Sequence, residues 1–339
     1  MKRFISLLLI ISVLFSLAAC GTMNDTEATT AKTSGHFPVT VTDQAGREIT
    51  IKSEPQRLLS SYYITTSLIM ALDLEDRLVG VEDNAGLRPI YGLSSPHILN
   101  LPNIGTVKEL DLEKCAALEP DLAILPMKLK NSADSLEALG IPVIFVNPES
   151  QELLMEMIRL VGTATNTLKS AESLIAFLEN QEIRLNESLS DVQLPRVYLA
   201  GNSSLLQTAG NAMYQSDMIH LAGGKNVADS ITDTYWAATD YEQLLAWDPE
   251  YIILASNAQY TVDDVMADPN LSGCTAILNA NVYQIPSDAE AWDSPVPGSI
   301  LGAFWLASIL HPEQITDADC TAVMDEYYET FYQFTYSEK

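Results

Sequence analysis

Aromatic and polar side chains follow several predicted strands of this chain, where they could contact a small molecule. Tyr62 and Tyr63 come directly after a short apolar strand that ends at Ser60. In sheets of parallel strands, ligands lie beyond the carboxyl ends of the strands. Tyrosine and tryptophan offer broad apolar faces with one polar edge, which suits a flat or bulky ligand. By this rule the candidate ligand-binding residues are Tyr62, Tyr63, Lys128, Asn202, Tyr235, Trp236 and Trp292.

Two features leave the chemistry of this predicted site open. Trp236 and Trp292 have a structural alternative, because aromatic side chains often pack in the core or at its rim. The cations that could face an anionic ligand are few. They are Arg88, Lys128, Lys130 and Lys225. A ligand held mainly by stacking, or a small oxyanion held by backbone N–H groups and hydroxyls, fits this composition.

The sequence lacks motifs for catalysis or for a protein-bound metal ion. It contains no GxSxG, HExxH or P-loop, and its four cysteines form no CxxC. Cys115 lies on the apolar side of a short predicted helix, where a buried thiol is expected. Cys274 and Cys320 could pair, and the sequence does not decide this. A secreted α/β hydrolytic enzyme is therefore a weaker hypothesis than a binding protein.

One stretch of the sequence occurs twice. Residues 110–125 (LDLEKCAALEPDLAIL) align without a gap with residues 239–254 (TDYEQLLAWDPEYIIL). Each copy reads as a short helix, a break at proline and an apolar strand. The repeat predicts two similar α/β lobes, each with a glutamate near a helix N-terminus, Glu113 and Glu242. Both could serve as caps, with Thr239 and Glu242 as a capping box and Asp111 capping the first copy.

The N-terminal residues predict export and attachment to a membrane. Residues 1–19 carry Lys2 and Arg3 before an apolar run, which is typical of a signal peptide. The following Leu17-Ala18-Ala19-Cys20 resembles the bacterial lipobox, and this resemblance implies lipidation at Cys20. Residues 20–36 then read as a flexible tether. The chain is expected to be extracytoplasmic and anchored by lipid rather than membrane-spanning.

The charge balance excludes one class of partner. The 339 residues include 18 Lys and Arg against 45 Asp and Glu, a formal net charge of −27. Nucleic acid is not expected to bind, because phosphate contacts need clustered basic side chains.

The order of predicted elements indicates an α/β fold in two lobes. Strands and helices alternate in residues 37–149 and again in 195–339, which favours parallel sheets. Residues 150–194 carry no strand pattern, and their apolar spacing predicts a helical connector. The expected architecture is two Rossmann-like lobes joined by one long rigid helix, with a ligand cleft between them.

Several of these stretches, in this order and spacing, resemble one family. They are VTDQAGREITI followed by EPQRLLS, then LEKCAALEPDLAIL, HLAGGKNVADS, YEQLLAWDPEYIIL and LASILHPE, within residues 38–334. The pattern is similar to the class III substrate-binding proteins of bacterial ABC importers, which bind iron-siderophore complexes, haem or cobalamin.

The resemblance implies a function without catalysis and without a resident cofactor. The expected cargo is an iron complex (siderophore or haem) or a related metal chelate. The alternatives are cobalamin or another corrinoid, and an oxyanion such as molybdate or tungstate. The partners implied are a membrane permease and its separate ATPase, with the binding protein itself a monomer. Glu113 and Glu242 match the family's acidic residues that dock onto the permease.

Overall fold

The computed structural model describes residues 37–232, 234 and 236–339. The predicted signal peptide, Cys20 and the tether lie outside the described residues, and so does Tyr235. None of the described helices is both long enough and apolar enough to cross a membrane.

An N-terminal lobe is built on a parallel sheet with helices between its strands. Its elements are β1 (Val39–Thr42), β2 (Glu48–Ile51), β3 (Leu58–Ser60), α1 (Tyr63–Ala71), β4 (Leu78–Gly80), α2 (Pro89–Ser94), α3 (Leu112–Ala117), β5 (Leu122–Pro126), α4 (Lys130–Ala138) and β6 (Val143–Val146). The first two strands form an antiparallel pair, β1–β2. The remaining strands are parallel, in the order β4-β3-β5-β6. Strand β5 is buried along its whole length, as expected for a strand covered on both faces.

Two helices follow the N-terminal lobe, α5 (Gln151–Ala164) and α6 (Leu168–Ser188). The prediction of one long helix across this segment is therefore wrong in detail. Asn166 adopts a left-handed conformation with φ of 63°, which ends α5. The chain then folds back, and Arg159 on α5 reaches Glu172 on α6 at 2.7 Å.

The connection between the lobes is consequently shorter than predicted. Helix α5 packs on β1 of the N-terminal lobe, whereas α6 packs on the C-terminal helices. Phe177 of α6 contacts Tyr327, with ring centroids 5.6 Å apart. Helix α6 alone, about 31 Å long at the usual rise per residue, therefore makes the transition between the lobes.

The C-terminal lobe repeats the α/β plan with a mixed sheet. Its elements are β7 (Arg196–Ala200), β8 (Gln207–Ala209), α7 (Tyr214–Leu221), β9 (Lys225–Asn226), β10 (Trp236–Ala238), α8 (Tyr241–Trp247), β11 (Tyr251–Leu254), α9 (Val262–Met266), α10 (Thr275–Leu278), β12 (Val282–Gln284), α11 (Ile300–Leu310) and α12 (Asp317–Tyr332). The strand order is β10-β8-β7-β11-β12, and the short strand β9 also pairs with β7. Strand β8 pairs antiparallel with both β7 and β10. The α/β class and the two-lobe plan are confirmed.

One hydrophobic cluster spans both lobes, and each lobe also has a smaller cluster of its own. A single cluster of buried residues includes Leu68 on α1, Ile158 on α5, Leu178 on α6 and Phe304 on α11. In addition to this packing, two hydrogen bonds join the lobes. Ile90 N–H donates to the Ala289 carbonyl at 3.1 Å, and the Tyr332 hydroxyl donates to the Ser67 carbonyl at 3.0 Å. These contacts tie the N-terminal lobe to the loop before α11 and to α12.

The described cysteines are free thiols. Cys115, Cys274 and Cys320 are all buried and unpaired with one another. The question that the sequence left open for Cys274 and Cys320 is thus answered against a disulfide. The expectation that Cys115 is buried is confirmed.

The close approach of α5 and α6 depends on a residue without a side chain. A Cβ at Gly162 would lie 2.4 Å from the Cβ of Ala171. We expect Gly162→Ala to lower the free energy of unfolding by about 1–3 kcal/mol, because overpacking forces the helices apart. Urea denaturation measures this change.

Gly92→Ala is the matched control, since Gly92 is also helical and its Cβ would meet nothing within 4 Å. The control should be neutral or stabilising by up to about 1 kcal/mol through helix propensity. Equal effects of the two substitutions would contradict the assignment of tight packing to Gly162.

Candidate functional site

A cavity opens where the two lobes meet. Its wall on the N-terminal side includes Tyr63, Ser67 and Arg88, and its wall on the C-terminal side includes Asn257, Ser287 and Glu290. The free volume is about 30 Å³. Three of these residues follow strands at their carboxyl ends, since Tyr63 comes after β3, Asn257 after β11 and Ser287 after β12. The cavity therefore lies where ligands of parallel sheets are expected.

Arg88 and the two tyrosines form the N-terminal wall. The Arg88 guanidinium carbon lies 4.0 Å from the centre of the Tyr63 ring, a cation–π contact. Tyr62 meets Tyr63 edge to face, with ring centroids 5.5 Å apart. The Nε atom of Arg88 is buried, and it has no hydrogen-bond partner among the described residues. An unpartnered buried donor is costly, so this atom is free to bind a ligand acceptor.

Burial controls the protonation of the tyrosines in this wall. It raises the pKa of Tyr63 to about 12, against the opposing effects of the Ser294 hydroxyl and the Arg88 charge. Burial also raises the pKa of Tyr62, and the nearby Tyr63 and Glu149 add to the effect. Both side chains are neutral phenols near neutral pH, able to donate hydrogen bonds.

The loop before α11 contains two buried carboxyl groups, and one of them lines the cavity. Asp293, which is 3% exposed, accepts hydrogen bonds from the backbone N–H and the hydroxyl of Ser256. Burial raises the pKa of Asp293, although the Ser256 bonds oppose this. Glu290, which is 4% exposed, lines the cavity directly. Among the described residues, no cluster of three or more His, Cys, Asp or Glu side chains could hold a metal ion.

A second hollow, larger than the cavity, lies beside it in the N-terminal lobe. It has a volume of about 60 Å³ and is lined by Tyr62, Lys128, Asn147 and Glu149. Burial raises the pKa of Glu149, and the charge of Lys128 partly offsets this effect. Tyr62 and Tyr63 thus separate two hollows at the same edge of the N-terminal sheet.

Comparison with known proteins identifies the fold family. The family model described as periplasmic binding protein matches residues 60–289. The chain belongs to the periplasmic binding protein family. It is a solute-binding protein and not an enzyme, as the sequence predicted, and it acts outside the cytoplasm.

Two relatives of this periplasmic binding protein resemble it over most of their length. The molybdate-binding protein MolA of Haemophilus influenzae is 25% identical over 324 residues, covering 87% of this chain and 91% of that protein. The uncharacterized ABC transporter substrate-binding lipoprotein YvrC of Bacillus subtilis is 25% identical over 307 residues, covering 88% of this chain and 93% of that protein.

Solved structures show the same architecture. A periplasmic solute-binding protein from Veillonella parvula superposes with a TM-score of 0.77 at 26% identity, covering 88% of this chain and 93% of that one. MolA with bound molybdate gives a TM-score of 0.78 at 24% identity, covering 88% and 99%. The two-lobe arrangement is therefore that of known members.

The structure brings some of the predicted binding residues of this periplasmic binding protein together. Tyr63 lines the cavity, and Tyr62 and Lys128 line the neighbouring hollow. Asn202 is exposed, and its carbonyl accepts the Gln259 N–H at 2.8 Å. Trp236 is half-buried in β10 and packs over Gly201, so Asn202 and Trp236 line neither hollow.

Trp292 lies in the core instead of the cleft. Its side chain is 0% exposed, and its indole N–H donates to the Tyr328 hydroxyl at 2.9 Å. Its packing role, which the sequence left as an alternative, is what the structure shows. A long loop before α11 gave no periodic pattern from which this burial could be predicted.

Other cavity residues were not among the sequence candidates. Asn257 and Ser287 follow strands, so the strand-end rule could have found them. Ser67 lies one helical turn after Tyr63 and faces the same cavity. Glu290 sits in an irregular loop with no local signal, and only the tertiary fold brings it to the cavity.

We expect Trp292→Phe to lower the free energy of unfolding by about 1–3 kcal/mol, because it leaves a void and removes the donor to Tyr328. Trp236→Phe is the control, and it should lower the free energy of unfolding by less because Trp236 is only half-buried. Urea denaturation followed by far-ultraviolet circular dichroism compares them without relying on tryptophan fluorescence. A larger loss for Trp236→Phe would contradict the burial assigned to Trp292.

Proposed function

We propose that this periplasmic binding protein captures a compact tetrahedral oxyanion, such as molybdate or tungstate, and delivers it to an ABC importer. The observation that carries the proposal is the Nε atom of Arg88, which is buried at the cavity without a partner. Charge-assisted hydrogen bonds from a guanidinium to an anionic oxygen are among the strongest in proteins. Ser67, Asn257 and Ser287 supply neutral donors around the same space.

The size of the cavity favours a small ion. Pockets for drug-sized ligands hold about 300–1,000 Å³, whereas this cavity holds about 30 Å³. A tetrapyrrole or a ferric siderophore would require the lobes to separate, against the core that they share. A tetrahedral anion would require only a small adjustment of side chains.

Helix α1 adds to the positive potential at the cavity. Its N-terminus follows β3 directly and has no side-chain cap, because Tyr62 occupies the cap position. The first N–H groups of a helix have no partner within the helix and attract anions. Tyr63 and Ser67, both on α1, line the cavity, so this helix end lies beside it.

One relative supports this choice. MolA, which is named for molybdate, resembles this chain along nearly its full length.

An iron complex, haem or a corrinoid is the second candidate. The two tyrosine rings beside the cavity, with the hollow lined by Lys128 and Glu149, favour it. These aromatic faces could stack on a flat ligand if the lobes opened.

Thermal unfolding with a ligand panel distinguishes the two candidates. We expect molybdate and tungstate to raise the midpoint of unfolding, because a ligand at 100 times its Kd stabilises the native state by about 2.7 kcal/mol. Haem, cobalamin and ferric siderophores should leave the midpoint unchanged. The reverse pattern would refute the oxyanion and select the second candidate.

Arg88→Met should weaken oxyanion binding by about tenfold to a hundredfold, which corresponds to the loss of one charge-assisted hydrogen bond. Isothermal titration calorimetry measures the affinity. Arg159→Met is the matched control, because Arg159 is exposed and pairs with Glu172. Equal affinity in the Arg88 variant and in its control would remove Arg88 from the site.

We further propose that Glu113 and Glu242 dock this protein onto its permease. Both are exposed in the first turns of α3 and α8. Neither is needed as a cap, since Asp111 accepts from the Lys114 N–H at 3.1 Å and Asp240 from the Gln243 N–H at 2.8 Å. The predicted Asp111 cap is confirmed, whereas the predicted capping box of Thr239 and Glu242 is wrong.

Neither Glu113 nor Glu242 makes an ion pair with another described residue, so their charges are available to arginines of a partner.

The double variant Glu113→Ala with Glu242→Ala should abolish uptake in cells while leaving the affinity for the ligand intact. Glu179→Ala with Glu187→Ala is the control, because both glutamates are exposed on α6. Uptake of radiolabelled anion and calorimetry on the purified variants measure the two quantities. Normal uptake in the first double variant would refute the docking assignment.

Lipidation of Cys20 is proposed from the sequence motif together with the lipoprotein relative YvrC. Such an anchor would hold the protein near its permease on the outer side of the cell membrane.

A further inference from the structure

Glu290 is a buried carboxylic acid in the wall of the anion cavity. It lines the same space as Arg88, Tyr63 and Ser67 across the junction of the lobes. Its side chain is 4% exposed. A negative charge at this place would act directly on any anion in the cavity, because the surrounding core excludes water and weakens screening.

The surroundings of Glu290 contain hydroxyl donors but no paired cation. The Tyr328 hydroxyl lies 3.3 Å from one carboxyl oxygen and the Tyr332 hydroxyl 3.5 Å from the other. Glu290 forms no ion pair with another described residue. Burial raises the pKa of Glu290 to about 7, against the opposing hydrogen bonds of Ser67, Tyr328 and Tyr332.

We propose that Glu290 is a charge gate, which admits an anion when its carboxyl is neutral and repels the anion when it is ionised. This inference rests on the proposed oxyanion function. Binding of one dianion above neutral pH would then take up one proton at Glu290. The gate would make capture strongest in mildly acidic surroundings and would favour release where the pH is higher.

Other titratable groups near Glu290 do not provide the same switch. The groups that face it from α1 and α12 are Tyr63, Tyr327, Tyr328 and Tyr332, and burial raises the pKa of each well above neutral pH. Arg88, across the cavity, is a guanidinium and so is not a switchable group. On its own loop, Asp288 is paired with Lys339 at 2.8 Å. Burial also raises the pKa of Asp293, but this residue hydrogen-bonds to Ser256 and is not among the residues that line the cavity.

The direction and size of the effect follow from proton linkage. A pKa raised to about 7 leaves Glu290 neutral at pH 6 and mostly ionised at pH 8. Each bound anion must then bring one proton, so the affinity falls about tenfold for each pH unit above the pKa. From pH 6 to pH 8 the Kd of the wild type should rise about tenfold.

The test is calorimetric titration of the full-length protein in detergent micelles with sodium molybdate, from pH 6 to pH 8.5. Molybdate stays fully ionised across this range. Two buffers with different ionisation enthalpies report proton uptake, which should approach one proton per anion at pH 8. Glu290→Gln removes the titrating group, so its Kd should stay constant and no proton should be taken up.

A matched control removes a neighbouring charge outside the cavity. Asp288→Asn eliminates an exposed carboxylate two residues away, so the pH dependence of the wild type should remain.

Should Glu290→Gln fold poorly, Tyr328→Phe offers an independent test. It removes a hydrogen bond that stabilises ionised Glu290, so the fall in affinity should begin at a higher pH.

Three outcomes overturn the gate, and they separate it from the proposed function. Binding by the wild type that does not change with pH refutes the gate alone. The gate alone is also refuted if the Kd of Glu290→Gln still rises tenfold from pH 6 to pH 8. If the wild type binds no molybdate at any pH, the oxyanion function itself fails, and the gate fails with it.

Discussion

Burial at the junction of the two lobes is the constraint on which the site depends. One hydrophobic cluster extends from α1 through α5 and α6 to α11, so the junction is a continuation of the core. Water is excluded there, and charged groups are costly unless hydrogen bonds or opposite charges stabilise them. This single condition explains why the pKa values of Tyr63, Glu290 and Asp293 all rise.

The same burial gives the cavity its binding potential. Arg88 is held against the Tyr63 ring, and its Nε atom is left without a protein partner. A donor fixed in this way needs little reorganisation when an anion arrives. The shared core also joins the lobes, and together with the small volume of the cavity it is the basis of the compact cargo proposed above. A larger cargo would have to break the contacts of Ile90 and Tyr332 across the junction.

On the outer surface, unlike at the buried junction, solvent screens the charges. In each copy of the repeat, an aspartate caps the helix and leaves the following glutamate exposed. The caps stabilise the helices, so the glutamates are not required for folding. The permease docking proposed for these glutamates would therefore not compete with the stability of the two helices.

The sequence by itself determined the α/β class and the two lobes, because these depend on local periodicity and on proline and glycine breaks. It placed Tyr62, Tyr63 and Lys128 at the edge of the sheet, because they directly follow strands. It could not show that the connector divides at Asn166, because a left-handed turn between two apolar helical patterns interrupts neither pattern.

The tertiary structure alone decided which side chains share the cavity. Trp292 and Glu290 lie in one irregular loop, yet the first is packed in the core and the second faces the cavity. That difference arises from contacts with α1 and α12, which are distant in sequence. Local pattern cannot encode it, because burial of a loop residue depends on which remote elements cover it.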